Sequence, residues 1–386
     1  MIPTVQEQEC MKKNADNAIP SVGMPRRWSR YVKRIAIAVV LLLLAGLFVI
    51  KDHLRTLTSL RRVAGTNAYV MDYYVDYQPD TIRSQGLDLD DLEGSYINTL
   101  LPPFAVPFAN RLKRAYVPTE IEPIADIVPN HHCSTVALRS SRGELFLGRN
   151  FDSPNDAYLI LRVHDRDGLA SISVVDIAYL NLNRSDLDET RLADRLPLLF
   201  APYYLMDGIN RHGVVVTSMS VPQADAVVQP GKPVITQATL MRTILDYAKT
   251  TDEAVELIRE FSVYFVGHPE HLMVGDAAGN SRVIEFIDGK MRLTATDRRW
   301  QVCTNEIVWQ KSEQQCDDAC YRYRAGSEAA EDLAEDVGLE DARNVARTMS
   351  VDNWTMWTSI YDLTNREIRV FYKGEVENEY RDRIDK

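Results

Sequence analysis

Positive charge is in short supply in this chain: 44 lysines and arginines stand against 55 acids, a formal net charge of −11 over 386 residues. Phosphate recognition needs a basic face, and none stands out beyond Arg114, which argues against a nucleic-acid partner. No His-Glu-x-x-His pair, phosphate loop or dinucleotide fingerprint occurs, so nothing calls for a metal or a cofactor. Internal repeats and low-complexity tracts are absent as well. Cysteine is scarce, with Cys10, Cys133, Cys303, Cys316 and Cys320 the only five. Cys316 and Cys320 offer one disulfide on an oxidising side, yet four residues apart on a regular helix they are poorly placed for it. The adjacent pair His131-His132 lacks a third ligand at a usual spacing, and His268-Pro269-Glu270-His271 reads as a loop.

What is present is enough apolar material, 45% of the residues, for one large core or two modest ones. There is one long apolar run, Ile35 to Ile50, sixteen residues without a polar side chain. Its length falls between a signal-peptide core and a comfortable membrane span. No small-x-small site follows it, only Lys51-Asp52-His53-Leu54-Arg55, so an uncleaved anchor is expected, with Arg34 and Lys51 at the two interfaces. The slight excess of basic residues before the run favours a cytoplasmic N-terminus and an extracytoplasmic remainder. The expected organisation is a basic tail over 1–34, the anchor over 35–50, a pro-segment or wrapping segment over 51–132 broken by Pro118, Pro123 and Pro129, and a globular part over 133–386.

The globular part begins at a cysteine. Cys133 heads an apparent β-hairpin that runs through Val136-Ala137-Leu138, turns, and returns through Glu144 to Gly148-Arg149-Asn150-Phe151-Asp152. Antiparallel pairing brings Arg149 and Asp152 back to the neighbourhood of Cys133. Strands are expected at 159–163, 170–175, 213–219, 271–276, 281–287 and 291–295, with helices at 239–249 and 251–261 between them. Two more helices, 321–337 and 339–349, precede a hairpin of 355–363 and 367–372. Strands and helices in such blocks give an α+β fold of two sheets and helical layers rather than a doubly wound sheet.

Five ordered elements carry a family resemblance: Cys133-Ser134-Thr135; Gly148 to Asp152; Asp207-Gly208-Ile209-Asn210-Arg211-His212-Gly213-Val214; Cys303-Thr304-Asn305; and Thr358 to Leu363. Together they span nearly all of 133–375, and the Cys-to-Arg and Cys-to-Asp steps are 16 and 19 residues. The pattern resembles the cysteine branch of the N-terminal-nucleophile hydrolases, which includes choloylglycine hydrolase, acyl-coenzyme A:6-aminopenicillanic-acid acyltransferase, acid ceramidase and N-acylethanolamine acid amidase. The resemblance implies a four-layer αββα sandwich, cleavage at His132–Cys133, and a linear N-acyl amide as small-molecule substrate. It also implies residue roles: Cys133 as nucleophile, Arg149 and Asp152 positioning the thiol and the new amine, Asn305 as oxyanion donor. Arg322, followed by Tyr323, is the expected match to a further family arginine. Asn210 matches a family asparagine, and Ser220 stands where the family has a second one, so a hydroxyl or backbone N–H is expected there.

The chemistry follows from the residues too. A free thiol titrates near about 8.5, so a nucleophilic cysteine needs a base or a nearby cation. Cutting before Cys133 frees an α-amine, near about pKa 8, on the nucleophile's own residue, where it can take the thiol's proton. Tyr179, Phe200, Tyr203 and Tyr204, in or near the 176–206 loop, suggest an apolar acyl pocket, with 153–158 and 220–235 as its other walls. The same intermediate also serves an acyltransferase, and an uncut chain would be a membrane-tethered binding protein.

Overall fold

The computed structural model describes residues 34, 35, 37, 50–101, 133–164, 170–182, 186–221, 223–266 and 268–385. The chain falls into two units, Met1–Lys51 and Asp52–Lys386, and the fold belongs to the second. Of the apolar run only Ile35, Ile37 and Ile50 are described. The expected anchor therefore lies outside the described residues, among which no helix is long and apolar enough to cross a membrane. His132 is outside them as well.

In chain order the first strands are β1 (Arg61–Arg62), β2 (Ala68–Tyr73), β3 (Ser134–Arg139), β4 (Leu145–Asp152), β5 (Tyr158–Val163) and β6 (Ser171–Asp176). Next come β7 (Leu205–Asn210), β8 (Val215–Ser220), β9 (Val234–Thr236), β10 (Ser262–Tyr264), β11 (Glu270–Gly275) and β12 (Ser281–Ile287). The last are β13 (Lys290–Thr294), β14 (Trp300–Cys303), β15 (Thr355–Asp362), β16 (Glu367–Tyr372) and β17 (Glu379–Arg383). The helices are α1 (Pro79–Gln85), α2 (Leu92–Leu100), α3 (Gln237–Tyr247), α4 (Thr251–Ile258), α5 (Glu313–Ala319), α6 (Tyr321–Glu331) and α7 (Leu339–Thr348).

Two large sheets result. One has nine strands in the order β1-β2-β5-β6-β7-β8-β11-β12-β13, the other six in the order β14-β3-β4-β15-β16-β17. Successive side chains in a strand face opposite ways, and in the nine-stranded sheet both ways are buried. Leu159, Leu161, Val216, Leu272 and Ile284 join one core with Leu240, Ile244 and Val255 of α3 and α4. Ile160, Val174, Val215, Met273 and Val283 join a second core with Val136 and Leu147 of the six-stranded sheet and Ala342, Val345 and Ala346 of α7. This is the αββα sandwich that the motifs implied. It explains why these strands read as continuous apolar runs rather than alternations.

The segment expected to wrap or to be removed is woven into this fold. Strand β2 pairs in parallel with β5 over its whole length, Ala68 opposite Tyr158 and Tyr73 opposite Val163. Tyr69, Met71, Tyr73, Tyr77 and Tyr96 are all buried in the first core. Residues 52–101 thus supply two strands, β1 and β2, and two helices, α1 and α2, to the fold.

Close approach explains one glycine of the motifs. A Cβ on Gly148 would sit 2.7 Å from the Ala342 carbonyl oxygen, so only glycine lets α7 lie on β4. Asn150, two residues on, locks that contact: its Nδ2 donates to the Ala346 carbonyl (2.6 Å), and its Oδ1 accepts from the Thr358 hydroxyl (2.8 Å).

Candidate active site

Hairpin register builds the site. Strands β3 and β4 pair Thr135 with Arg149 and Ser134 with Asn150, which leaves Cys133 beside the end of β4. Arg149 Nη2 lies 3.7 Å from Cys133 Sγ and donates to the Ser218 carbonyl at 3.0 Å. Its Nε is 3.3 Å from Asp207 Oδ2, and neither side chain is exposed. Asp207 also accepts from Trp357 Nε1 (3.1 Å), from the Ser359 hydroxyl (3.0 Å) and from the Tyr361 hydroxyl. The Arg149 guanidinium lies over Phe151 and Trp357, whose rings stack at 4.1 Å. A buried cation is tolerated here because a fully bonded carboxylate and two aromatic faces surround it.

Asp152, at the end of β4, accepts from the Thr355 hydroxyl at 2.5 Å. Its other oxygen is 3.5 Å from Arg322 Nη1. Arg322 rises from α6 and bridges three residues of the site. Its Nη1 donates to the Cys133 carbonyl (3.1 Å), and its Nη2 donates to Asn305 Oδ1 (2.7 Å). Because Oδ1 is taken by the arginine, the Asn305 amide must turn its NH₂ toward the cleft, where it donates to the Ser220 carbonyl at 2.7 Å. One Nδ2 hydrogen remains for an oxyanion.

The electrostatics follow from burial. In the intact chain, desolvation pushes the Cys133 thiol up to about 11, although Arg149 and an N–H of Asp152 pull the other way. At neutral pH it is therefore a thiol, and it needs a base. Burial also raises Asp152 to about 7, against the opposing pull of Thr355, Arg322 and Arg149.

Residues 201–375 match the family model described as acyl-coenzyme A:6-aminopenicillanic acid acyl-transferase. The match takes in three of the five ordered elements, those at Asp207–Val214, Cys303–Asn305 and Thr358–Leu363. The matched stretch contains Asp207, Asn305 and Arg322 and begins after Cys133, Arg149 and Asp152. Among solved structures, the chain is similar to a penicillin V acylase from Agrobacterium tumefaciens, at 17% identity and a TM-score of 0.47, over 62% of this chain and 83% of that one. It is also similar to a variant of a conjugated bile acid hydrolase from Clostridium perfringens, at 12% identity and a TM-score of 0.48, over 65% of this chain and 92% of the other. No curated protein matches it.

Cys133, Arg149, Asp152, Asn305 and Arg322 are thus brought together as the sequence predicts. Two other expectations are corrected. Asn210 does not reach the cleft: its Nδ2 donates to the Leu245 and Ala248 carbonyls (3.2 and 2.7 Å), and its Oδ1 accepts from the N–H groups of His212 and Val214. All its valences serve the β7–β8 turn and the end of α3. Ser220 takes part through its backbone carbonyl, which holds Asn305. Tyr203 lines a narrow cavity of about 30 Å³ together with Tyr96, Tyr179 and Tyr204, the apolar side chains of Leu92, Leu205, Met206, Ala238 and Val266, and the polar His268 and Glu270. Phe200 packs instead against the first core.

Three functional groups escaped the sequence reading. Asp207 sat inside a quoted motif without a role, although an acid in the middle of an apolar strand is a signal that it has a buried partner. His271 and Glu285 lie on adjacent strands, not in a loop. His271 Nε2 is 2.7 Å from the Thr304 carbonyl and 3.3 Å from Cys303 Sγ, and its Nδ1 is 3.4 Å from Glu285. Glu285 accepts from the N–H groups of Val308 and Trp309, both at 2.8 Å. This buried brace grips the Thr304–Trp309 loop on either side of Asn305. Cys316 and Cys320 are free thiols.

Proposed function

We propose that the protein is a cysteine amidase that frees Cys133 by cutting the His132–Cys133 bond and then hydrolyses a linear, non-peptide N-acyl amide. The observation that carries this reading is the Arg322 bridge, which joins the carbonyl of the nucleophile's own residue to Asp152 and to the oxyanion donor Asn305. A structural cysteine at a strand end has no use for such a link.

The cut consumes one water and leaves a carboxyl group on His132 and an α-amine on Cys133. That amine takes the thiol proton, and the thiolate attacks the substrate carbonyl, forming a C–S bond. Asn305 Nδ2–H donates to the resulting oxyanion, held for it by Ser220 and Arg322. As the tetrahedral centre collapses, the C–N bond breaks and the amine leaves with the proton from the α-ammonium. Water, deprotonated by the same α-amine, then attacks the thioester, and breaking of the C–S bond restores the thiol. Asp152 is placed to accept a hydrogen bond from the α-ammonium, and Arg149 favours thiolate against the penalty of burial.

Residues 52–101 stay bound after the cut in this account, because β2 is hydrogen-bonded along its full length within the sheet. The run 35–50 anchors the protein, with the catalytic part outside the cytoplasm.

The match to an acyl-transferase family favours a second reading, in which an amine or thiol rather than water takes the acyl group from Cys133. Incubating the purified protein with an N-acyl amide and a competing amine separates the two. Free acid as the main acyl product supports the hydrolase, and transfer to the added amine supports the transferase. Amide turnover that survives in Cys133→Ala would sink both.

A further inference from the structure

Asn305 stands on a loop, and a loop places a hydrogen-bond donor only as well as its backbone is held. The β14–β3 register sets Cys303 opposite Thr135, and two further steps along it bring Asn305 level with Cys133. Strand β14 ends at Cys303, so the chain leaves the six-stranded sheet beside the nucleophile. From Thr304 onward its hold comes from the other sheet. There β11 and β12 pair Leu272 with Ile284, and one step further along that register His271 stands beside Glu285. Neither side chain is exposed.

Both side chains grip backbone. His271 Nε2 lies 2.7 Å from the Thr304 carbonyl, which can only accept, so this nitrogen carries a hydrogen. Glu285 takes the Val308 N–H on one carboxylate oxygen and the Trp309 N–H on the other, both at 2.8 Å. The oxygen that meets Val308 also faces His271 Nδ1 at 3.4 Å, which joins the two halves of the grip. The held points, 304 and 308–309, bracket Asn305. Its side-chain amide is meanwhile tied to the Ser220 carbonyl of β8, the strand that sets Met219 opposite His271. Backbone and side chain of the donor are thus referred to the same three strands. The Cys303 thiol, 3.3 Å from His271 Nε2, completes a thiol, imidazole and carboxylate set of the kind that makes a nucleophile. Here it makes none, because all three side chains are enclosed and burial drives the Cys303 thiol well above its ordinary value.

We propose that His271 and Glu285 are positioning residues for the oxyanion donor: by fixing residues 304–309 they hold the Asn305 amide in register with Cys133, and they touch no substrate. The proposal takes its role in the reaction from the amidase reading. A misplacement of about 1 Å costs on the order of 10²-fold in rate, so a brace that acts only through Asn305 has a measurable share of kcat.

The test is a double-mutant cycle on the purified full chain, with kcat referred to the folded fraction. His271→Phe keeps a ring without its nitrogens. Its kcat should fall by about tenfold or more while KM stays within about twofold, the mark of a contact that counts only in the transition state. His271→Gln, which still offers an N–H to the Thr304 carbonyl, should recover most of that loss. In an Asn305→Ala background His271→Phe should cost less than about twofold further, because the donor it positions is gone. Glu285→Gln, of unchanged size, carries the same cycle if His271→Phe does not fold. An undiminished further loss in the Asn305→Ala background, or a kcat that neither substitution lowers, would overturn the proposal. Amide hydrogen exchange supplies a readout without turnover: Val308 and Trp309 should exchange faster in Glu285→Gln while β11 and β12 keep their protection. Unchanged exchange at both would also overturn it. Faster exchange in a protein whose wild type turns over no amide would uphold the hold on Asn305 and remove the amidase reading.

Discussion

The two sides of Cys133 are built differently. Behind it, Arg149 and Asp207 are sealed, and the carboxylate takes four contacts from β4 and β15. In front of it, Asn305, Ser220 and Glu270 keep partial access and depend on longer supports: Arg322 from α6, and the brace of His271 and Glu285. The difference teaches a division of labour. The rear sets where the thiol stands, and its failure should appear as instability. The front sets what the thiol does, and its failure should appear in rate.

Asp207→Ala is the sharpest way to break that division. It leaves the Arg149 charge buried without its partner, so the protein should lose about 3–5 kcal/mol of stability, read as a lowered denaturation midpoint in urea. A change below about 1 kcal/mol would mean that the rear is not a structural anchor. Asn305→Ala should behave in the opposite manner. Its kcat should fall by about 10²–10³-fold while the urea midpoint moves little, because the residue sits on an accessible loop.

How far these two sides were legible in the sequence follows from the same contrast. Cys133, Arg149 and Asp152 lie on one hairpin, and pairing rules alone bring them together. Two sheets with helical layers were legible because strands and helices come in blocks of ordinary length, while the αββα order came from the family resemblance. The narrow cavity lined by Tyr96, Tyr203 and Glu270 was not, because it joins α2 with the approach to β7, with the start of α3 and with β11, segments far apart in sequence whose meeting depends on sheet order. Asn210 misled for a related reason: a polar residue in a motif looks functional, and only the structure shows its amide spent on α3. The place of residues 52–101 in the sheet was not legible because β2, buried on both faces, has neither clean alternation nor a hairpin partner nearby in sequence.

The smallest predicted effect concerns pH. Glu270 is raised by burial from its ordinary 4.5 to about 7, so it binds its proton more tightly in the folded state. The stability linked to it is complete below about 4.5 and is lost as pH rises through about 7. Glu270→Gln has no such proton to lose. Its Tm relative to the wild type should therefore climb between about pH 5 and about pH 8, and a flat difference over that range would contradict the tighter hold of the folded protein on the Glu270 proton.

The central claim is that Cys133 works from a freed N-terminus, and intact-mass analysis of the purified protein tests it most directly, with N-terminal sequencing of each fragment. The account predicts two chains that copurify, the second beginning at Cys133, and a single uncut chain for Cys133→Ala. A wild-type protein that hydrolyses amides while its His132–Cys133 bond stays whole would contradict it.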